Sequence, residues 1–175
     1  MARESVECPR CGSQSDASVQ TCATCGTDLE WARVQWSSVV SGPQETYAPI
    51  ILHIDDEIGA LTLIGFILER AGYRVAVARD AFIALELLKR FIPDLIITGV
   101  MMPGMTGIEL IAQLKADPVL KEVPVIVLSA RSNEETVGRA MDAGAILFLS
   151  KPISHHDLVE AVASILGDSG SRNAT

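Results

Sequence analysis

From Pro49 to Gly167 the chain alternates short, almost purely apolar runs with longer stretches in which apolar residues return every three or four positions. Ile50-Ile51-Leu52-His53-Ile54 reads as a buried strand, stopped by Asp55-Asp56. Ile58, Leu61, Ile64, Leu68 and Ala71 then fall on one face of a helix that Gly72 ends. Arg74–Ala78 reads as a second strand, and Ala81, Ala84, Leu85 and Leu88 as the core face of a helix opened by Asp80. Leu95–Thr98 is the third strand; beyond a loop through Met102-Pro103-Gly104, Thr106 caps a helix carrying Ile108, Ile111 and Leu114. Pro124 opens a fourth strand at Val125–Leu128, followed by a helix containing Val137 and Met141 that ends at Gly144. Ile146–Leu149 is the fifth strand, and Ser154 with Asp157 starts a last helix over Leu158–Leu166.

Strict alternation of this kind predicts an α/β fold: a doubly wound, five-stranded parallel sheet with right-handed crossovers and helices on both faces. Functional groups then collect at the carboxyl ends of the strands. The residues found there are Asp55 and Asp56, Gly99, Ser129-Ala130 and Lys151-Pro152.

Composition divides the chain further. Residues 1–30 hold all four cysteines and few large aliphatics, residues 31–48 are broken by Ser37-Ser38 and Ser41-Gly42-Pro43, and the last residues are rich in Ser, Gly and Asn. Aromatics are scarce at 5%, which leaves Val, Ile and Leu to fill the core. The formal net charge is -8 and is spread evenly: residues 1–48 carry three Lys/Arg against six Asp/Glu, and residues 49–168 ten against sixteen. No basic patch hides in that average, so neither nucleic acid nor a membrane surface is an expected partner. Met1–Glu7 is charged with no apolar stretch behind it, and the longest uncharged apolar run, Ile58–Leu68, is about half the length that crosses a bilayer. These features predict a soluble protein of the cytoplasm.

Five segments at the strand ends carry a family resemblance. Leu52-His53-Ile54-Asp55-Asp56-Glu57, Pro93–Thr98, Val100-Met101-Met102-Pro103-Gly104-Met105, Val127-Leu128-Ser129-Ala130 and Lys151-Pro152 stand in the order and spacing of response-regulator receiver domains of two-component signalling, and this part of the chain resembles that family. The resemblance implies a flavodoxin-like receiver fold over residues 49–168. It implies that Asp55 and Asp56 belong to an acidic pocket that helps hold Mg²⁺, that Ser129 and Lys151 contact phosphoryl oxygens, and that Phe148 is a switch aromatic. It also implies protein partners, a histidine kinase or another signalling protein, and no enzymatic activity of the chain's own.

The chain departs from the family at the decisive position. Where the acceptor aspartate is expected, directly before Val100-Met101-Met102-Pro103-Gly104, the sequence reads Gly99. Glycine offers neither nucleophile nor metal ligand. Asp94 lies at the other end of the strand, about 15 Å away at strand rise, and Thr98 projects to the opposite face. The expectation is a stable pseudo-receiver with Mg²⁺ binding weak or absent and Lys151 neutralising the remaining carboxylates, acting in a two-component or phosphorelay system by binding proteins. A phosphorylatable single-receiver regulator is the alternative, should another residue accept phosphate. A flavodoxin-like enzyme is disfavoured by the missing Gly-rich loop after the first strand, and transcriptional output by the missing third domain.

The cysteines form a second constellation. Cys8-Pro9-Arg10-Cys11-Gly12 and Cys22-Ala23-Thr24-Cys25-Gly26 are two C-x-x-C-G knuckles, which resemble a compact zinc ribbon over residues 1–30. Four thiolates select Zn²⁺, and a segment this short needs the metal to fold. Two disulfides conflict with a reducing compartment, and a redox motif uses one such pair on an α/β scaffold. Residues 31–48 are then a linker and 169–175 a flexible tail. With Arg3, Arg10 and Arg33 as its nearby cations, the ribbon is expected to dock proteins or to dimerise, and a homodimer stays open. His155 and His156 are expected to be solvated, His53 to be a packed neutral imidazole, and the uncharged Ile58–Leu68 stretch is a candidate docking surface.

Overall fold

A computed structural model describes residues 5–7, 13–16, 21, 24 and 48–169. Near the N-terminus, β1 (Ser5–Glu7) and β2 (Gln14–Asp16) pair antiparallel, Ser5 opposite Asp16 and Glu7 opposite Gln14. Three-residue strands are too short to show alternation, so the sequence pattern gave no sign of them. Cys8, Cys11, Cys22 and Cys25 lie outside the described residues, as do 31–47 of the linker and 170–175 of the tail.

The larger body is a five-stranded parallel sheet built from β3 (Ile50–Ile54), β4 (Arg74–Ala78), β5 (Leu95–Thr98), β6 (Val125–Ser129) and β7 (Leu147–Ser150), in the order β4-β3-β5-β6-β7. The strands alternate with α1 (Ile58–Arg70), α2 (Ala81–Leu88), α3 (Gly107–Ala116), α4 (Glu134–Asp142) and α5 (His155–Ser169). β3, β5 and β6 are sequestered almost end to end, which is why they read as unbroken apolar runs. On one face Ile51, Leu95, Ile97, Ile126 and Leu128 pack with Ile64 and Leu68 of α1 and Leu158 and Val162 of α5. Their neighbours Leu52, Ile54, Ile96 and Val127 point the other way and are also buried, as a sheet covered on both sides requires.

Caps and turns follow the local chemistry. Thr106 and Glu109 form a reciprocal capping box at the start of α3, Asn133 caps α4 through Thr136 N at 3.3 Å, and Ser154 Oγ accepts from Asp157 N at 3.1 Å before α5. Gly72 and Gly144 take φ of 95° and 109°, a conformation side chains resist.

Two residues of the apolar face expected for the first helix turn to solvent. Ile58 and Ala71 are exposed. In α1 the buried set is Leu61, Ile64, Gly65 and Leu68, which leaves Ile58 at the margin of that arc in the first turn. In α4 the buried residues are Thr136 and Ala140, and Met141 is exposed. The last strand runs Leu147–Ser150, one residue later than the expected Ile146–Leu149, and Ile146 is exposed. No helix among the described residues is long and apolar enough to cross a membrane.

Candidate functional site

The carboxyl ends of β3, β5 and β6 and the segment after β7 meet around a cleft of about 510 Å³, lined in part by Asp55, Asp56, Glu57, Gly99, Ser129 and Lys151. The register explains the meeting. Ile54 stands opposite Thr98, and directly beyond the two strands lie Asp55 and Gly99, with Gly99 N donating to Ile54 O at 2.9 Å. On the other side Asp55 N reaches Ala78 O at 3.1 Å. Lys151 is fixed by its own amide, which donates to Ser129 O at 2.9 Å.

Asp55 is almost wholly buried, and both of its oxygens are engaged. Oδ2 accepts from Lys151 Nζ at 2.6 Å, and Oδ1 accepts from Glu57 N at 3.0 Å. A buried carboxylate costs several kcal/mol of desolvation unless it is paired, and the lysine supplies that counter-charge. Asp56 and Glu57 are exposed at the rim. Ser129 is buried, and its Oγ accepts from Arg131 N at 3.1 Å. The sequence pattern had singled out Asp55, Asp56, Ser129, Lys151 and Gly99, and the fold brings all five to one cleft. Glu57 and Met101, which the sequence marks only as members of the family segments, and Arg131, which it does not mark, also line the cleft. Phe148 is half-buried in β7 and opposite Val127 in register; it does not line the cleft.

Gly99 is buried beside Asp55. A Cβ placed there meets Asp55 Oδ2 at 3.5 Å, Asp55 Cγ at 3.8 Å and Ile54 O at 3.8 Å, all ordinary contacts, and directs a side chain at the Asp55 carboxylate. Space is not what keeps this position glycine. The neighbouring residues do not substitute for a carboxylate here. Thr98 Oγ is buried and donates to Gly99 O at 3.1 Å. Asp94 Oδ2 accepts from Ile50 N at 2.7 Å at the far end of β5. Behind the loop, Gly107 at the start of α3 comes so close that a Cβ there would sit 1.9 Å from Gly99 O.

His53 shares the Asp55 face of β3 by strand alternation. It is fully buried, and neither ring nitrogen has a hydrogen-bond partner. Burial pulls its pKa down to about 4; the Asp55 carboxylate opposes that shift and Lys151 adds to it. The packed neutral imidazole expected from the strand pattern is what the fold contains. His155 and His156 are exposed, as expected.

The donor set does not fit a divalent cation as it stands. Asp55 is committed to Lys151 and to the Glu57 amide, position 99 presents no side-chain oxygen, and no three of His, Cys, Asp and Glu converge among the described residues.

Comparisons with known proteins agree with this architecture. A family model described as response regulator receiver domain matches residues 51–163. The phosphate regulon transcriptional regulatory protein PhoB of Escherichia coli (strain K12) is 34% identical over 116 residues, covering 66% of this chain and 51% of PhoB. The two-component response regulator ORR6 of Oryza sativa subsp. japonica is 38% identical over 111 residues, covering 62% of this chain and 65% of ORR6. The chain thus spans about half the length of the PhoB relatives it matches. Among solved structures, the chemotaxis response regulator CheY4 of Vibrio cholerae superposes with a TM-score of 0.64 at 28% identity, over 67% of this chain and 98% of that one. The receiver domain of the sensor histidine kinase PA1611 from Pseudomonas aeruginosa PAO1, solved with magnesium coordinated in its active-site cleft, gives 0.65 at 25% identity, over 69% and 98%.

Proposed function

Since the chain belongs to the response regulator receiver family, we propose that it works in two-component or phosphorelay signalling as a pseudo-receiver, one that binds protein partners without being phosphorylated. One observation carries this reading. The position at the end of β5 from which a carboxylate would face the Asp55–Lys151 pair is Gly99, although a side chain fits there. An acyl phosphate needs a carboxylate oxygen to form, and a methylene hydrogen cannot supply one. With that group missing, the lysine neutralises Asp55 directly, and Mg²⁺ is held weakly or not at all. The cleft then has one resting arrangement, and its surroundings are available for constitutive binding of a kinase or another signalling protein.

The N-terminal cysteines complete the proposal. Cys8, Cys11, Cys22 and Cys25 hold one structural Zn²⁺ in a ribbon that targets the pseudo-receiver to protein partners, and residues 31–48 link the two parts. The cysteine spacing and the tetrahedral preference of thiolate-bound zinc support this assignment.

Exposure to a small-molecule phosphodonor and Mg²⁺, followed by intact-mass measurement, tests the reading. The natural chain is expected to keep its mass, and the Gly99→Asp variant to gain one phosphoryl group. Phosphorylation of the natural chain overturns the pseudo-receiver assignment and points to another acceptor.

A further inference from the structure

Helix α1 turns an apolar face to solvent as well as to the core. Its buried side is Leu61, Ile64, Gly65 and Leu68. At 100° per residue, Gly59, Leu63, Phe66 and Arg70 lie diametrically opposite that set. The centre of a solvent-facing side is ordinarily polar, yet Leu63 is 60% exposed and Phe66 56%. No charged residue interrupts Ile58–Leu68.

This face has a polarity and a shape that fit its own reverse. At its N-terminal end Asp56 and Glu57 are exposed, and at its C-terminal end Arg70 is exposed with its guanidinium carbon 5.6 Å from the Phe66 ring centroid. None of these three side chains takes part in an ion pair among the described residues. Gly59 leaves a notch: a Cβ there meets only Glu57 Oε1, at 3.9 Å. Two such helices laid antiparallel about a twofold axis between residues 62 and 63 place Phe66 over the partner's Gly59. The same operation brings Arg70 to the partner's Asp56 and Glu57. Knob meets notch and cation meets carboxylates, twice over, as an isologous contact demands.

We infer that the solvent face of α1 is a self-association surface, on which a second copy of this chain docks antiparallel through Leu63 and Phe66 with Arg70 against the acidic end. The inference stands apart from the phosphorylation state of the cleft. A helix of 13 residues is about 20 Å long, so the contact is smaller than a standard permanent interface and the dimer forms reversibly with concentration.

Sedimentation velocity on the full chain, from low micromolar to several hundred micromolar, reads this out, with circular dichroism confirming that each variant is folded. The natural chain is expected to pass from monomer to dimer, and Phe66→Glu to stay monomeric. Arg70→Glu and Glu57→Arg are each expected to weaken association about tenfold or more, because each homodimer then sets like charges together at both ends. Mixing those two variants in equal amounts is expected to restore the dimer in part, since position 70 of each chain then again faces a charge of opposite sign at position 57 of the other. A chain that stays monomeric throughout, a dimer that survives Phe66→Glu, or a mixture no tighter than its components each overturns the proposal.

Discussion

Gly99 is a chemical departure within a receiver-type arrangement of strand ends, not a steric or conformational necessity. Its φ lies outside the left-handed region and a Cβ meets only ordinary contacts, so the backbone accepts other residues. The consequence falls on Asp55, whose carboxylate is satisfied by Lys151 at 2.6 Å and by the Glu57 amide. His53, on the same strand face, poses the opposite case of a polar group left unsatisfied in the core. Its pKa is lowered by burial from an ordinary 6.5 to about 4. The folded state therefore favours the neutral ring. Stability from this group is complete above pH 6.5, falls as the unfolded chain protonates first, and levels off below about 4. The span corresponds to roughly 3 kcal/mol. Urea unfolding at pH 7 and pH 4 on the natural chain and on His53→Leu is expected to show this much less acid destabilisation in the variant. Neutral-pH stability is expected to be unchanged or higher, because two unpaired ring nitrogens leave the core.

Among the elements, α3 is the one most tightly joined to the cleft. Gly107 N donates to Val100 O at 2.8 Å, and the absent Gly107 side chain is what lets the helix rest on the Gly99 peptide. Gly107→Ala drives a methyl into backbone that cannot rotate away. It is expected to cost about 3 kcal/mol, at the upper end for overpacking, whereas Gly138→Ala in α4, where a Cβ meets nothing, is expected to stabilise. Denaturant midpoints of the two variants make the comparison. Little of this was legible in the sequence. The strand runs and the Thr106 cap were, since alternation, burial and capping are local. The Gly107 contact depends on where a loop returns after five residues of Met, Pro and Gly, and the buried face of α4 is made by Thr136 and Ala140, small residues that the apolar pattern does not weigh. Lys115 is a further case: its ammonium donates to Lys121 O and Val123 O, each at 2.8 Å, and no periodicity marks a lysine as a loop clamp.

At the scale of the molecule, the cleft was more legible than the helices, because strand ends in a parallel sheet converge whatever the loops do. Asp55, Gly99, Ser129 and Lys151 are separated by up to 96 residues, yet each ends or directly follows a strand that the pattern located to within a residue. The proposed self-association surface was only partly legible: the uncharged run in α1 was visible, but the outward direction of Leu63 and Phe66 needed the fold. The N-terminal cysteines act as a separate unit in this account. Metal analysis is expected to find one zinc per chain, released by a thiol-modifying reagent, while the thermal transition of the parallel-sheet body moves little. Loss of that transition on zinc removal would contradict the separation. The central claim is the lack of an acceptor at position 99, and fluoroberyllate tests it without any phosphodonor, because beryllium completes its tetrahedron with a carboxylate oxygen. Fluorine NMR with Mg²⁺ present is predicted to show no bound fluoroberyllate on the natural chain and a bound signal on Gly99→Asp; a bound signal on the natural chain would contradict the account.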